Sequence, residues 1–267
     1  MKIFSIISGL SLGVILIFVV AYMFWDYHNF THSSDDAVQI VAQKLSMHGP
    51  FSVKLLKGGI SGAQIFLVTT QEKKVVVRFI VQKDYELRSS EVTCHTIAAA
   101  AMYGPDIYYV DAQKGIVIME FLENQDLSKS QKWSPELCKN LADLLHKIHD
   151  GPRFPRTVNI FERIQKYINL IKAVSNDVPI VKIQNMLNIM RAALEKYLTE
   201  VPCHFDLHPF NMFIKKNGTI KVIDFETAAN GEPFCDVASI AVSYCSDINQ
   251  EQLLLESYLK RKPQEKD

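Results

Sequence analysis

Residues 203–226 read CHFDLHPFNMFIKKNGTIKVIDFE, and few folds accommodate such a stretch. Pro209 and its polar neighbours mark a loop. Met212-Phe213-Ile214 then reads as a short strand, Lys216-Asn217-Gly218 as a turn, and Ile220 to Asp224 as a second short strand. A hairpin of this kind holds Asp206, Asn211 and Asp224 at one end. Two carboxylates and one amide there form an oxygen-rich site suited to Mg²⁺, a cation that prefers hard oxygen ligands and keeps several waters.

Phosphoryl transfer asks for such a set. It needs metal to neutralise charge, a carboxylate to position or deprotonate the attacking hydroxyl, and a cation on the nucleotide phosphates. In that scheme Asp206 is the base, Asn211 and Asp224 hold metal, and His204 and His208 stiffen the loop. The step from Asp206 to Asn211 equals that of the kinase pattern HRDLxxxN, and Asp224 stands where the kinase DFG places its Asp. Taken singly, each residue would read as a turn former or a cap; their joint spacing, with a strand between the two motifs, points to a site.

The region before this hairpin divides into a sheet half and a helical half. Strand-like runs cover Phe51 to Lys57, Gly62 to Thr70 and Lys73 to Ile80, and two more fit Ile107 to Val110 and Ile116 to Phe121. GGISG, with Gly58, Gly59, Ser61 and Gly62, joins the first two, so its N–H groups can approach phosphate without interference from Cβ. Arg78 lies inside VVVRF. A charge there needs a partner or ligand, and an acid of the following helix (Tyr85 to Met102, carrying Glu86 and Glu91) is expected to supply one, Glu91 best. The alternative puts Arg78 on a solvent-facing side of the sheet, since strands alternate faces. A hinge is expected near Glu120 to Asn124, with Glu120 and Leu122 among the nucleotide-binding residues. Past it, Ser134-Pro135-Glu136 opens a helix bearing Leu137, Leu141, Leu144, Leu145 and Ile148 on one face. Further helical patterns cover Ile160 to Ala173 and Ile183 to Leu198.

At 267 residues, 48% of them apolar, the chain can bury a core of one large domain or two lobes. Lys plus Arg equals Asp plus Glu at 29 each, which offers no basic face for nucleic acid. Five cysteines at wide spacings, with no CxxC, argue against zinc and against a disulfide framework, and read as small buried hydrophobes in a reducing compartment.

Ile3 to Trp25 is 23 residues without a charge. About 20 suffice to cross a bilayer as a helix, so an uncleaved anchor is favoured over a cleaved signal peptide, for which Val19-Val20-Ala21 is a passable cut site. Lys2 before the span and Asp26, Asp35 and Asp36 after it would place the main domain outside. The need for ATP argues instead for a cytoplasmic domain. Residues 26–50 then form a linker and a helix (Ala37 to Met47), capped by Asp35 or Asp36 and ended by Gly49-Pro50.

The chain resembles the choline/ethanolamine kinase and aminoglycoside phosphotransferase group, which shares the protein-kinase-like fold. The resemblance runs from about Phe51 to Tyr258 through GGISG, VVVRF, GPDIYYVDAQKGIVIMEFLE, LADLLHKIHD, HFDLHPFN, IDFE and EPFCDVAS. It implies an α+β, two-lobed fold preceded by one hydrophobic helix: an antiparallel ATP-binding sheet lobe over 51–123 and a helical lobe with the catalytic and metal loops over 124–267. It implies ATP and Mg²⁺ as cofactors, Asp206 as base, Asn211 and Asp224 on metal, and Arg78 with the glycine loop on ATP. Glu226 assists near the metal, and Asp236 supports the loop. The implied acceptor is the hydroxyl of a small amine, choline or ethanolamine first; an aminoglycoside, thiamine or sugar kinase, or a tethered pseudokinase, are the alternatives. Thr227 departs from the Tyr usual after IDFE. Of the aromatics that a quaternary ammonium wants around it, Trp133, Tyr167, Tyr244 and Tyr258 are the candidates, although ordinary burial would account for each.

Overall fold

The computed structural model describes residues 32–56, 63–123, 133–174, 179–215 and 217–263. The apolar run 3–25 and the glycine loop 57–62 therefore lie outside the described residues, as does part of the expected hinge. Among the described residues no helix is long and apolar enough to cross a membrane.

The first half is an antiparallel sheet with one helix inserted. Strands β1 (Ser52–Leu55), β2 (Gln64–Thr69), β3 (Lys74–Phe79), β4 (Ile107–Asp111) and β5 (Ile116–Glu120) lie in the order β1-β2-β3-β5-β4. Helix α1 (Ser34–Leu45) precedes the sheet and α2 (Tyr85–Ala100) follows β3. The alternation in β3 sorts its side chains. Val75, Val77 and Phe79 pack with Ala37 and Val41 of α1, whereas Val76 faces the cluster of Val92 from α2 with Val117 and Met119. Both faces of the central strand are thus covered, and Arg78, 4% exposed, has no solvent-facing side to occupy. This settles the ambiguity left by strand periodicity alone.

Helix α1 starts earlier than expected, and its cap is Ser33 rather than Asp35 or Asp36. Ser33 Oγ accepts from the Asp36 N–H, and the Asp36 carboxylate accepts in return from the Ser33 N–H. Aspartate three residues into the helix therefore completes a reciprocal cap instead of serving as one. The helix ends at Leu45 with Ser46 in the left-handed region, ahead of Gly49-Pro50.

The helical lobe is built on α3 (Pro135–His149). Ser134 caps it, accepting from the Leu137 N–H, and the five apolar residues picked out from its sequence are all buried. They share a core with the β7–β8 hairpin (β7, Met212–Ile214; β8, Ile220–Val222) and with two helices that the sequence reading did not anticipate, α6 (Phe234–Tyr244) and α7 (Ile248–Leu259). Helices α4 (Ile160–Val174) and α5 (Ile180–Leu194) form a separate antiparallel pair around Phe161, Ile168 and Leu187. The expected helix over Ile183 to Leu198 starts and stops earlier, its last turn tightening to a 3₁₀ segment at Glu195–Tyr197. A further two-stranded pairing, β6 (Val201–Cys203) with β9 (Ala229–Gly231), closes the base of the loop that carries Asp206.

Candidate active site

Asp206 lies in the loop between β6 and β7, and the loop's shape is held by buried groups that do not face solvent. Asp236, fully buried in the first turn of α6, accepts from the His204 N–H (2.8 Å) and the Phe205 N–H (2.7 Å). Two charge-assisted bonds to consecutive amides fix the backbone, and His149 of α3 stands 3.2 Å from the same carboxylate. Thr227 donates to the His204 carbonyl at 2.9 Å. The Thr at the position where Tyr is usual therefore serves the loop. Phe205 adopts φ +64°, in the left-handed region, costly for an aromatic residue unless the surroundings impose it. Gly231 allows this, because a Cβ there would meet the Phe205 ring at 2.6 Å.

His204 works from inside. Its Nδ1 accepts from the Asp206 N–H (3.2 Å), which leaves Nε2 as donor to the Ile223 carbonyl (3.0 Å). Burial pushes its pKa below the ordinary histidine value, against the pull of Asp236 and Asp206, so the ring is neutral and locked in one tautomer. It ties the loop to the residue before Asp224. His208 serves in the same way: its Nδ1 accepts from the Phe210 N–H, and its Nε2 stands 3.5 Å from Asp206 Oδ2.

The Asp206 carboxylate is asymmetric. Asn211 Nδ2 donates to Asp206 Oδ2 at 2.9 Å and to the Asp206 carbonyl at 3.1 Å. Both amide protons are thereby used, leaving the Asn211 amide oxygen for a ligand. Asp206 Oδ1 accepts no hydrogen bond from a described residue, and the side chain is 39% exposed. A second contact joins the two motifs, the Ile223 N–H donating to the Asn211 carbonyl at 2.9 Å.

Across the cleft, Arg78 meets the acids. Its Nε donates to Glu91 Oε1 at 3.0 Å, and its Nη2 lies 2.8 Å from Asp224 Oδ1 and 3.7 Å from Glu226 Oε2. Glu91 of α2 is thus the partner, as expected, while Glu86 sits exposed in the first turn. Burial alone would raise the Glu91 pKa, but Arg78 and His95 together outweigh it and hold the carboxyl at about 2. The Asp224 carboxylate and the two glutamates hold the Arg78 guanidinium charged in spite of its burial. Burial and then Asp224 push Glu226 up to about 8. Asp224 and Glu226, the more open acids beside the guanidinium, present with the Asn211 amide oxygen a hard-oxygen donor set, which fits Mg²⁺.

Other expected residues fall elsewhere. The Glu120 carboxylate faces Lys221 and Lys215 of the β7–β8 hairpin (2.7 and 3.4 Å), and Leu122 follows it half-buried. The glycine-loop residues Gly58, Gly59, Ser61 and Gly62 lie outside the described residues. Trp133, Tyr244 and Tyr258 pack against the helical core, the Tyr258 hydroxyl bonding to His149, and Tyr167 lies on α4. Sequence reasoning missed Arg156, which donates to the Glu226 and Ala228 carbonyls and pins the segment after Asp224. His149, Cys203 and Asp236 also cluster. Their atoms are occupied with one another and with loop amides, the Cys203 thiol donating to Gly231, and the trio reads as scaffold. All five cysteines are free, three of them buried.

A two-lobed kinase-like fold with these groups in its cleft defines a small-molecule phosphotransferase. Residues 52–264 match the family model described as phosphotransferase enzyme family, and the chain belongs to that family. Choline kinase LicA from Streptococcus pneumoniae superposes with a TM-score of 0.65 at 21% identity, covering 86% of this chain and 81% of that one. A choline/ethanolamine kinase family protein from Mesorhizobium loti gives 0.67 at 20% identity, over 86% and 77%. The macrolide 2'-phosphotransferase MphH from Brachybacterium faecium gives 0.64 at 14% identity, over 87% and 85%. At such identities the likeness is one of fold. No curated protein matches the sequence.

Proposed function

We propose that this chain transfers the terminal phosphoryl group of ATP to the hydroxyl of a small amine, choline or ethanolamine first, with Mg²⁺ as cofactor. The observation that carries this reading is the junction of Asp206, Asn211, Asp224 and Arg78, drawn from both lobes and linked by direct hydrogen bonds. Among solved structures of this fold, LicA is described in complex with AMP and a spectinomycin phosphotransferase in complex with ADP and its antibiotic, which supports a nucleotide in the cleft.

In this reading the Asp206 Oδ1 lone pair takes the proton of the acceptor hydroxyl as its oxygen bonds to phosphorus and the bond to ADP breaks. Asn211 holds the other Asp206 oxygen in place and keeps it from rotating. Arg78 turns from Asp224 to the nucleotide phosphates, with Glu91 keeping it extended across the sheet. The glycine loop, Glu120 and Leu122 enclose the nucleotide; Asn211 and Asp224, assisted by Glu226, would hold Mg²⁺. The metal, when bound, supplies neutralisation of the charge that develops between donor and leaving group.

One observation favours an acceptor outside the quaternary amines: three of the four candidate cage aromatics, Trp133, Tyr244 and Tyr258, pack against the helical core. An aminoglycoside, thiamine or sugar kinase is therefore the second reading, and a tethered pseudokinase the third. We further propose that residues 3–25 anchor the chain, with the catalytic domain on the cytoplasmic side where ATP is abundant. A reporter fused after Asp267 tests this, and activity only outside the membrane overturns it. ADP release across choline, ethanolamine, thiamine and an aminoglycoside tests the acceptor. Turnover with none of them, together with no Mg-ATP binding, would leave the pseudokinase.

A further inference from the structure

Lys221 is the one lysine buried among the described residues, at 6% exposure. It sits in β8, three positions before Asp224. The flanking Ile220 and Val222 turn into the helical core, so alternation sends Lys221 to the opposite face of the hairpin. There it meets the sheet lobe. Its Nζ lies 2.7 Å from Glu120 Oε2, at the end of β5, and 3.1 Å from Asp106 Oδ1, just before β4. The two acids are themselves joined, since the Glu120 N–H donates to the Asp106 carbonyl and the Asp106 N–H to Glu120 Oε2. Lys215 of the same hairpin adds a contact to Glu120 Oε1 at 3.4 Å.

A buried ammonium is costly unless paired and hydrogen-bonded. Burial lowers the Lys221 pKa, but Glu120 and Asp106 more than compensate and leave it above the ordinary lysine value. Besides the Val222 N–H bond to the Tyr103 carbonyl, the hairpin is therefore held to the sheet lobe by two ionic clamps. One is Arg78 with Asp224. Phosphate competes for its cation and metal for its anion, so that clamp opens when nucleotide binds. The other is Lys221 with Glu120 and Asp106, groups that take no part in transfer.

We propose that Lys221 is a positioning residue for the nucleotide half of the site, holding the hinge end of β5 against the β7–β8 hairpin while Arg78 exchanges Asp224 for phosphate. This rests on the phosphotransferase reading. The clamp sets the spacing between the hinge main chain and the Asn211–Asp224 end, a spacing that a nucleotide must span and an acceptor need not. Loss of the clamp then weakens nucleotide binding without altering the chemical step.

The test is Mg-ATP affinity by calorimetry, with separate KM values for ATP and acceptor, on Lys221→Met and Lys221→Arg. Lys221→Met is expected to raise the ATP Kd and KM about tenfold, with kcat and acceptor KM within about twofold, the pattern of lost uniform binding. Lys221→Arg is expected to recover most of the loss. A lowered Tm with unchanged ATP affinity, or a loss that falls on kcat, overturns the proposal. If Lys221→Met does not fold, Asp106→Asn, which keeps the shape and removes the charge of the other clamp acid, takes its place with the same expected split. Hydrogen exchange on the nucleotide-free protein separates this proposal from the phosphotransferase reading. Lys221→Met must speed exchange at the amides of Glu120 and Val222 but not within α3, and unchanged exchange refutes the clamp whatever the protein does with ATP.

Discussion

Asp206 illustrates what a residue's surroundings add to its identity. Its spacing to Asn211 was legible from the chain alone; the asymmetry of its two oxygens was not, because it depends on where Asn211 places both amide protons. Replacing Asp206 with Asn is expected to lower kcat by about 10²-fold or more, the scale of a lost general base, with Tm within a degree or two because the side chain is part-exposed. Steady-state kinetics beside a thermal melt check this. Arg78 shows the opposite limit of reading a sequence. Periodicity left its face open, and only the coverage of both sides of β3 decided it. Glu91, held at about 2 against an ordinary 4.5, contributes stability that is present above the ordinary value and is lost as pH falls toward 2. Glu91→Gln is therefore expected to lower stability at neutral pH by on the order of 3 kcal/mol and to flatten the acid limb of stability against pH between 4.5 and 2. Urea melts across that range measure it.

The elements divide by how locally they are determined. Helix α3 was legible in full, because its cap, proline and apolar stripe are all local signals and its burial follows from them. The β7–β8 hairpin was legible because a turn signal sits between two apolar runs. The α1 start was misassigned because Ser33, Asp35 and Asp36 are all competent caps, and geometry alone selects the serine. The pairing of β6 with β9 joins three-residue strands far apart in sequence, too short for any periodicity to register. It matters nonetheless, since with Asp236 it seats the loop that carries Asp206. Asp236→Ala removes the acceptor of two loop amides and leaves them buried, and is expected to cost about 3–5 kcal/mol and most of the activity. Asp236→Asn, which retains one acceptor, is expected to lie between, as a denaturant series would show. Gly231→Ala is expected to reduce kcat several-fold by displacing Phe205, which a β-methyl would meet at 2.6 Å.

At the scale of the molecule, two lobes meet over a cleft whose floor is ionic on both sides, Arg78 with Asp224 and Lys221 with Glu120. The lobes themselves were foreseeable from strands giving way to helices near Glu120. The acceptor side was not, because it depends on how α4, α5, α6 and α7 are placed, and Trp133, Tyr244 and Tyr258 pack against the core instead. Mg-ATP is expected to raise the Tm of the intact chain by several degrees at saturating concentration, by mass action on the folded state, and Asp224→Ala is expected to abolish the rise. The most direct test of the account is transfer of ³²P from γ-labelled ATP to a hydroxylated acceptor, with wild type and Asp206→Asn assayed side by side over choline, ethanolamine, thiamine and an aminoglycoside. The account expects Mg²⁺-dependent labelling of at least one acceptor by wild type and loss of nearly all of it in the variant. Equal labelling by both proteins would contradict it.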